Sequence, residues 1–337
     1  MAATMKDLAR ETGLGLATIS KYFNGGNVRE KNRLLIDAAV KKLHYAPNEV
    51  ARSLKTQHSR VIGVVIPELS NVFITSIIST MEDILRRQDY AVIVCDCRSD
   101  PKREKAAVDF LLHRRVDGLI NMAADMTGAH LKSALSAGIP ILLIDRLIDG
   151  LRGRVSAVII DNVHAANQAV RKLTALGHRR IGIILGIPNL YTTDQRLTGY
   201  LNALREAGIS PEDDYIRYGN YNMDGGYQAV LDLLKMKRRP TALFVTNFEM
   251  TLGAMLALQR KNIRVPEDLS IIGFDKLELF GEIFPDLMLI RQPQLSIGRE
   301  AANLMLDLLG SSENRVHRIV TLSTELADGT SVRPLQG

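Results

Sequence analysis

Cysteine is nearly missing from this chain: two of 337 residues, Cys95 and Cys97. Two apart in an expected strand, their Cα atoms stand near the upper limit for a bridge. No Cys/His cluster lies near them, so they read as buried free thiols without a metal or redox role. No uninterrupted apolar run reaches about 18 residues, which argues against a membrane span. Lys6 and Asp7 follow a short polar start with no apolar h-region, which argues against a secretory signal and for a cytoplasmic protein. Nucleotide and nucleophile signatures are also lacking. No G-x-G-x-x-G follows the first strand, no G-x-x-x-x-G-K-[ST] occurs, and no Ser or Cys sits in a G-x-S-x-G elbow. An enzyme is therefore not expected, and no cofactor or metal is called for.

Charge is concentrated at one end. Of 43 basic and 37 acidic residues, eleven and five fall within residues 1–60, leaving 32 of each in the rest. A +6 head on a neutral body suggests a small nucleic-acid-binding unit joined to something with another task. Thr4 can cap a helix starting at Met5, with Asp7 at the third position. Leu8 and Ala9 supply its inner face, and Gly13 stops it. After Gly13-Leu14-Gly15 a second helix spans about 16–23, with Ile19 and Phe23 turned to the core and Thr18, Ser20 and Lys21 able to meet phosphates or base edges. Two helices across a short Gly turn make a DNA-reading motif; a plain helical hairpin with a polar face has the same pattern. A third helix, 30–44, places Leu34, Leu35, Ala38, Ala39 and Leu43 on one face to close a three-helix core.

Beyond it, Pro47 breaks the helix, Asn48 can cap another, and Val50, Ala51 and Leu54 give a short apolar stripe. A helix that short is unstable alone, so DNA and a second copy would have to order it. The order T-I-S-K-x-x-N (18–24), an apolar helix, then H-Y-x-P-N-x-V-A-R-S-L (44–54) resembles the lactose/galactose repressor (LacI/GalR) family of bacterial transcriptional regulators. The resemblance implies a hinge helix that pairs across a dimer in the minor groove. Leu54 would wedge into a central base step beside Ala51 and Arg52, kinking the DNA. It carries DNA contact to Thr4, Leu16, Ala17, Thr18, Ser20, Lys21, Asn24, Ala51, Arg52, Leu54 and Lys55. Operator choice falls on Leu16, Ala17 and Lys21, the last standing where arginine is common and giving a less directional cation. The expected partner is a pseudo-palindromic double-stranded operator. A homodimer is expected, since nothing after Val332 resembles the leucine heptads that make tetramers in some members.

The remaining chain alternates apolar strands with helical stretches: 61–67, 91–95, 118–122, 139–144, 157–160, 181–185, 242–245 and 269–273. That pattern predicts parallel sheets covered on both faces, an α/β body. It also repeats itself. Residues 60–65 echo 180–184, and 139–145 echo 269–275, each of the latter ending in aspartate, so two similar subdomains with a cleft between them are expected. The body, through phrases such as Leu176-Gly177-His178-Arg179-Arg180-Ile181-Gly182 and Val265-Pro266-Glu267-Asp268-Leu269-Ser270-Ile271-Ile272-Gly273-Phe274-Asp275, resembles the type I periplasmic-binding-protein-like fold of the same family. That implies a helix-turn-helix domain over 1–46 and a hinge helix and linker over 47–60. The two effector subdomains would be 61–161 with 291–321 and 162–290 with 322–337.

The resemblance also assigns an effector cleft to Ser70, Asn71, Phe73, Asp145, Arg146, Thr192, Arg196, Tyr221, Asn247 and Asp275. Carboxylates and amides suit vicinal hydroxyls, Arg196 adds a fork of donors, and Phe73 or Tyr221 can cover a sugar face. The alternative for Asp145 and Asp275 is a strand-end turn or helix-capping carboxylate, and for Phe73 a core residue. Phe248 replaces a small acidic or amide residue common after the asparagine and is expected to reshape the pocket wall. Arg146 and Arg196 together would also suit an acidic or phosphorylated sugar. The expected function is a ligand-responsive, sequence-specific DNA-binding regulator, a repressor of a sugar catabolism operon. A sugar-binding transport protein of the same body fold is the alternative.

Overall fold

A computed structural model describes residues 3–23, 26–45, 58–275, 287–310 and 315–335. The chain divides into two compact units, Met1–Ser59 and Arg60–Gly337. The first holds α1 (Met5–Thr12), α2 (Leu16–Phe23) and α3 (Glu30–Leu43). Thr4 and Asp7 form a reciprocal capping box at the start of α1, and Gly13 ends it in the left-handed conformation at φ 69°. Leu8, Ile19, Ile36, Ala39 and Tyr45 make the buried core. The face expected of α3 is out of phase. Leu34 is 62% exposed and Leu35 42%, Ala38 is exposed too, and the inner face is Ile36, Ala39, Val40 and Leu43. That set follows the i, i+3, i+4, i+7 rule, which the Leu34–Leu35 pair cannot satisfy together with Leu43. The expected hinge helix falls largely on residues 46–57, outside the described residues.

The second unit begins with β1 (Val61–Ile66), α4 (Val72–Arg86), β2 (Ala91–Asp96), α5 (Pro101–His113), β3 (Gly118–Asn121), α6 (Lys132–Ser136), β4 (Ile141–Ile144) and β5 (Ser156–Ile160). It continues with α7 (Asn162–Ala175), β6 (Ile181–Leu185), α8 (Tyr191–Glu206), β7 (Ile216–Tyr218), α9 (Met223–Lys235), β8 (Ala242–Val245), α10 (Phe248–Arg260) and β9 (Ser270–Phe274). Last come β10 (Met288–Arg291), α11 (Gln294–Gly310), β11 (Ile319–Leu322) and β12 (Glu325–Ala327). Two six-stranded sheets result, ordered β11-β5-β4-β3-β1-β2 and β12-β10-β9-β8-β6-β7. All pairings are parallel except β10 with β12. Strands such as Ile181–Leu185 and Ala242–Val245 are buried throughout, as strands covered on both faces must be.

The chain passes between the two sheets three times. Asp161 leaves the first lobe and caps α7, accepting from the His164 N–H at 2.9 Å. Gln292 and Pro293 return it to α11, which packs on α4. Ser323 and Thr324 then carry it from β11 in the first sheet to β12 in the second. The repeat in the sequence has a backbone counterpart. Asp145 and Asp275 end β4 and β9 with φ of 68° and 69°. Each donates its N–H to the neighbouring strand, to Val158 O at 3.0 Å and Ile290 O at 2.8 Å.

Candidate functional site

In the head, α2 turns Ile19 inward and leaves Leu16 46% exposed, with Ala17 and Lys21 exposed and Thr18 and Ser20 half-buried. Ala17 and Lys21 lie opposite Ile19 around the helix, Thr18 and Ser20 flank them, and Leu16, on the side of Ile19, is exposed in the first turn. Thr4 is exposed at the start of α1, where its hydroxyl is tied to Asp7. An arc with two apolar residues and one lysine is able to contact thymine methyls and a base or phosphate cationically. Asn24, Ala51, Arg52, Leu54 and Lys55, also read as DNA contacts, lie outside the described residues.

In the body, the carboxyl ends of both sheets face one cleft of about 430 Å³. Ser70, Asn71, Phe73, Asp145 and Arg146 line it from the first lobe, and Thr192, Arg196, Tyr221, Asn247 and Asp275 from the second. All ten residues singled out in the sequence are therefore brought together. Two strand-end aspartates with positive φ are strained for non-glycine residues and are held by the strand bonds described above.

Arg196 is buried and fully oriented. Its Nε donates to Asn162 Oδ1 at 2.8 Å, its Nη1 to Thr246 O, and its guanidinium lies 3.9 Å over the Phe274 ring. Burial pushes the Asp275 carboxyl up to about 6, against the pull of Arg196 and of the bonds from Gln292 and the Phe248 backbone. Asp145 raises it further. Arg146 Nη1 donates to Ala123 O at 2.7 Å, while its Nε stands 3.5 Å from Asp145 Oδ2. That Nε is buried without a hydrogen-bond partner among the described residues, and so is Gln292 Oε1. Both atoms lie beneath the surface of the wall. The Tyr221 hydroxyl shares hydrogen bonds of 2.8 Å with both Thr192 and Thr193. Tyr221 therefore offers the cleft chiefly its ring.

Phe248 does not line the cleft. Its side chain joins the apolar cluster on the outer face of the second sheet, and only its backbone reaches the site, through Asp275. Asn247 caps α10, so Phe248 is the first helical residue and the next one, Glu249, turns into the cleft. Sequence reasoning missed Glu249, Gln292 and Arg98. Arg98 follows β2, so its position after a parallel strand was a usable signal. Gln292 directly follows β10 and opens the Gln292-Pro293 pair of the family resemblance, so it too was legible, whereas Glu249 follows no motif.

Two family descriptions match this chain: "Bacterial regulatory proteins, lacI family" over residues 4–48, and "Periplasmic binding proteins and sugar binding domain of LacI family" over residues 59–327. The HTH-type transcriptional repressor PurR of Vibrio atlanticus (strain LGP32) is 33% identical over 337 residues, 99% of each chain. Among solved structures, the Lac repressor bound to ONPG in the repressed state matches with TM-score 0.85 and 28% identity, covering 98% of this chain and 100% of that one. A LacI family transcriptional regulator from Enterococcus faecium with bound ribose matches with TM-score 0.74 and 27% identity, covering 82% and 100%.

Proposed function

Because the chain belongs to the LacI family of bacterial regulatory proteins, we propose that it represses a sugar catabolism operon from the cytoplasm, as a homodimer on a pseudo-palindromic operator. Its effector is a sugar or sugar derivative held between the two lobes of the body. The observation that carries this reading is the cleft. Residues from both lobes converge on about 430 Å³, within the range of small-molecule sites, and line it with carboxylates, amides and guanidinium groups. The Asp145 and Asp275 carboxylates and the Arg146 guanidinium line the cleft among other polar groups, an array that suits the hydroxyls of a polyol and that a purely apolar ligand would leave unpaired. The Phe73 and Tyr221 rings supply an apolar surface for a sugar face. Support also comes from the sugar-binding description of the body and from ribose in the Enterococcus regulator.

The head distinguishes this chain from a transport protein with the same body. Its charge holds the DNA backbone, and α2 reads bases with Leu16, Ala17 and Lys21. The hinge over 47–60, with Leu54 as the wedge, converts the state of the lobes into operator affinity. An effector that prefers one arrangement of the lobes shifts that affinity by the corresponding coupling free energy. Selection of duplexes from a random pool, with and without a panel of sugars and sugar phosphates, tests the proposal. The expected result is a pseudo-palindromic site whose binding changes at least tenfold with one member of the panel. Loss of all sequence preference refutes it. Leu54→Ala is expected to weaken binding to the selected site far more than to random DNA. Equal loss on both DNAs in gel shifts removes the wedge assignment.

A further inference from the structure

The two walls of the cleft are tied to each other by one carboxylate. Asn71 opens α4 in the first lobe and Asn247 opens α10 in the second. Each uses its Oδ1 as a helix cap, accepting from the Ile74 and Met250 N–H groups at 3.0 Å. The amide nitrogens left over converge on Glu249: Asn71 Nδ2 donates to Oε1 at 2.8 Å, and Asn247 Nδ2 to Oε2 at 2.5 Å. The first of these bonds crosses between lobes. Another cross-lobe contact, the Tyr191 N–H to Met126 Sδ at 3.4 Å, uses a weak sulfur acceptor. We propose that Glu249 is a positioning residue that holds the cleft walls together through Asn71 and thereby sets the fraction of molecules ready to bind effector. The consequence for affinity rests on the cleft being the effector site, because apparent affinity scales with the competent fraction. The tie itself needs no ligand.

The charges around Glu249 separate this role from that of an ordinary surface residue. Burial pushes its carboxyl up to about 7; its own backbone N–H pulls it down, and Asp275 and Glu68 push it up. Glu68 faces it from the segment after β1, Asp275 from the end of β9, and Asn71 from α4. When the lobes part, water reaches the carboxyl and it returns toward its ordinary 4.5. The closed arrangement then holds the proton more tightly than the open one. Closure therefore takes up a proton and is favoured as pH falls through 7 toward 4.5. Values of about 7 closed and 4.5 open imply a closed-to-open ratio rising roughly 25-fold between about pH 8 and about pH 5.5. Asp275 acts in the same direction, so substitution at Glu249 is what isolates its share.

The full chain without added ligand provides the test, by small-angle scattering and by hydrogen exchange at the first turns of α4 and α10, across this pH range. Glu249→Ala and Asn71→Ser, which keeps a capping oxygen for α4 but loses the amide donor, are each expected to expand the body and speed exchange at α10, and the pair to add nothing beyond either one. Glu249→Gln keeps one acceptor, so it is expected to restore part of the compactness while flattening the pH response. Unchanged scattering and exchange in both single variants overturns the tie. A pH response undiminished in a folded Glu249→Gln protein overturns it too. If the tie behaves as expected but no sugar alters operator binding, the effector reading fails and the tie stands.

Discussion

Gly186, at the carboxyl end of β6, is where a single methyl group should disturb the cleft most directly. A Cβ built there lies 1.9–2.3 Å from Cζ, Cε2 and Cε1 of the Tyr221 ring. The backbone at 186 is not in the left-handed region, so alanine is unsuited only by the ring. The ring cannot simply slide away, because its hydroxyl is fixed by Thr192 and Thr193. In Gly186→Ala either both hydrogen bonds break or the wall strains. Two broken bonds at about 1 kcal/mol each cost about 2 kcal/mol, and overpacking strain alone about 1–3 kcal/mol, so the loss is about 1–3 kcal/mol whichever gives way. Urea unfolding of the wild type and variant measures this loss, and calorimetry with the sugar that alters operator binding measures the effect on the site. The decisive comparison is the double variant. In a Tyr221→Ala background the new methyl group has no ring to meet, so Gly186→Ala/Tyr221→Ala should cost no more than Tyr221→Ala alone. Additive losses, or a Gly186→Ala effect below about 0.5 kcal/mol, would refute the reasoning.

Arg196→Met keeps an unbranched chain over Phe274 but removes the cation beside Asp275 and the donors to Asn162 and Thr246. It is expected to destabilise the body by about 3–5 kcal/mol and abolish the ligand response while leaving ligand-free operator binding in place; unchanged calorimetric ligand binding would take Arg196 out of the site. Thr4→Ala removes the capping box of α1 and should cost the head about 1 kcal/mol, read by thermal unfolding of the head signal. No change would mean that Asp7 alone supports the first turn.

Much of the architecture is legible because it rests on periodicity. Continuous apolar strands separated by helices can be covered only as parallel layers, and the strands from β1 to β6 and β8 and β9 are read within a residue or two of their ends. The missed strands are β7, β10, β11 and β12, each of three or four residues; β7 and β11 are partly exposed, so no buried run marks them, whereas β10 carries the buried apolar run Met288–Ile290 and was legible. The phase of α3 was misread because Leu34 and Leu35 are apolar yet face outward, and hydrophobicity alone does not say which side of a helix a small head will cover. Phe248 failed for a related reason. One residue along a helix is a turn of about 100°, so the side chain after a cap faces the outer core and the following one faces the cleft.

From sequence alone came the basic head with its helix-turn-helix, the two-fold echo of the body and the residues at the strand ends, including both aspartates. These are local matters of charge, spacing and turn chemistry. Tertiary structure decided which groups meet: Asn71 and Glu249, 178 positions apart; Asp275 and Gln292, 17 apart; and Gly186 under the ring of Tyr221. It also decided their chemistry, since the proton affinity of Glu249 is set by burial and by the Asp275 and Glu68 charges, and that of Asp275 by burial, Arg196 and Asp145. Residue type supplies the ordinary affinity of a carboxyl for its proton, but desolvation and neighbouring charge depend on distances that only the folded chain defines.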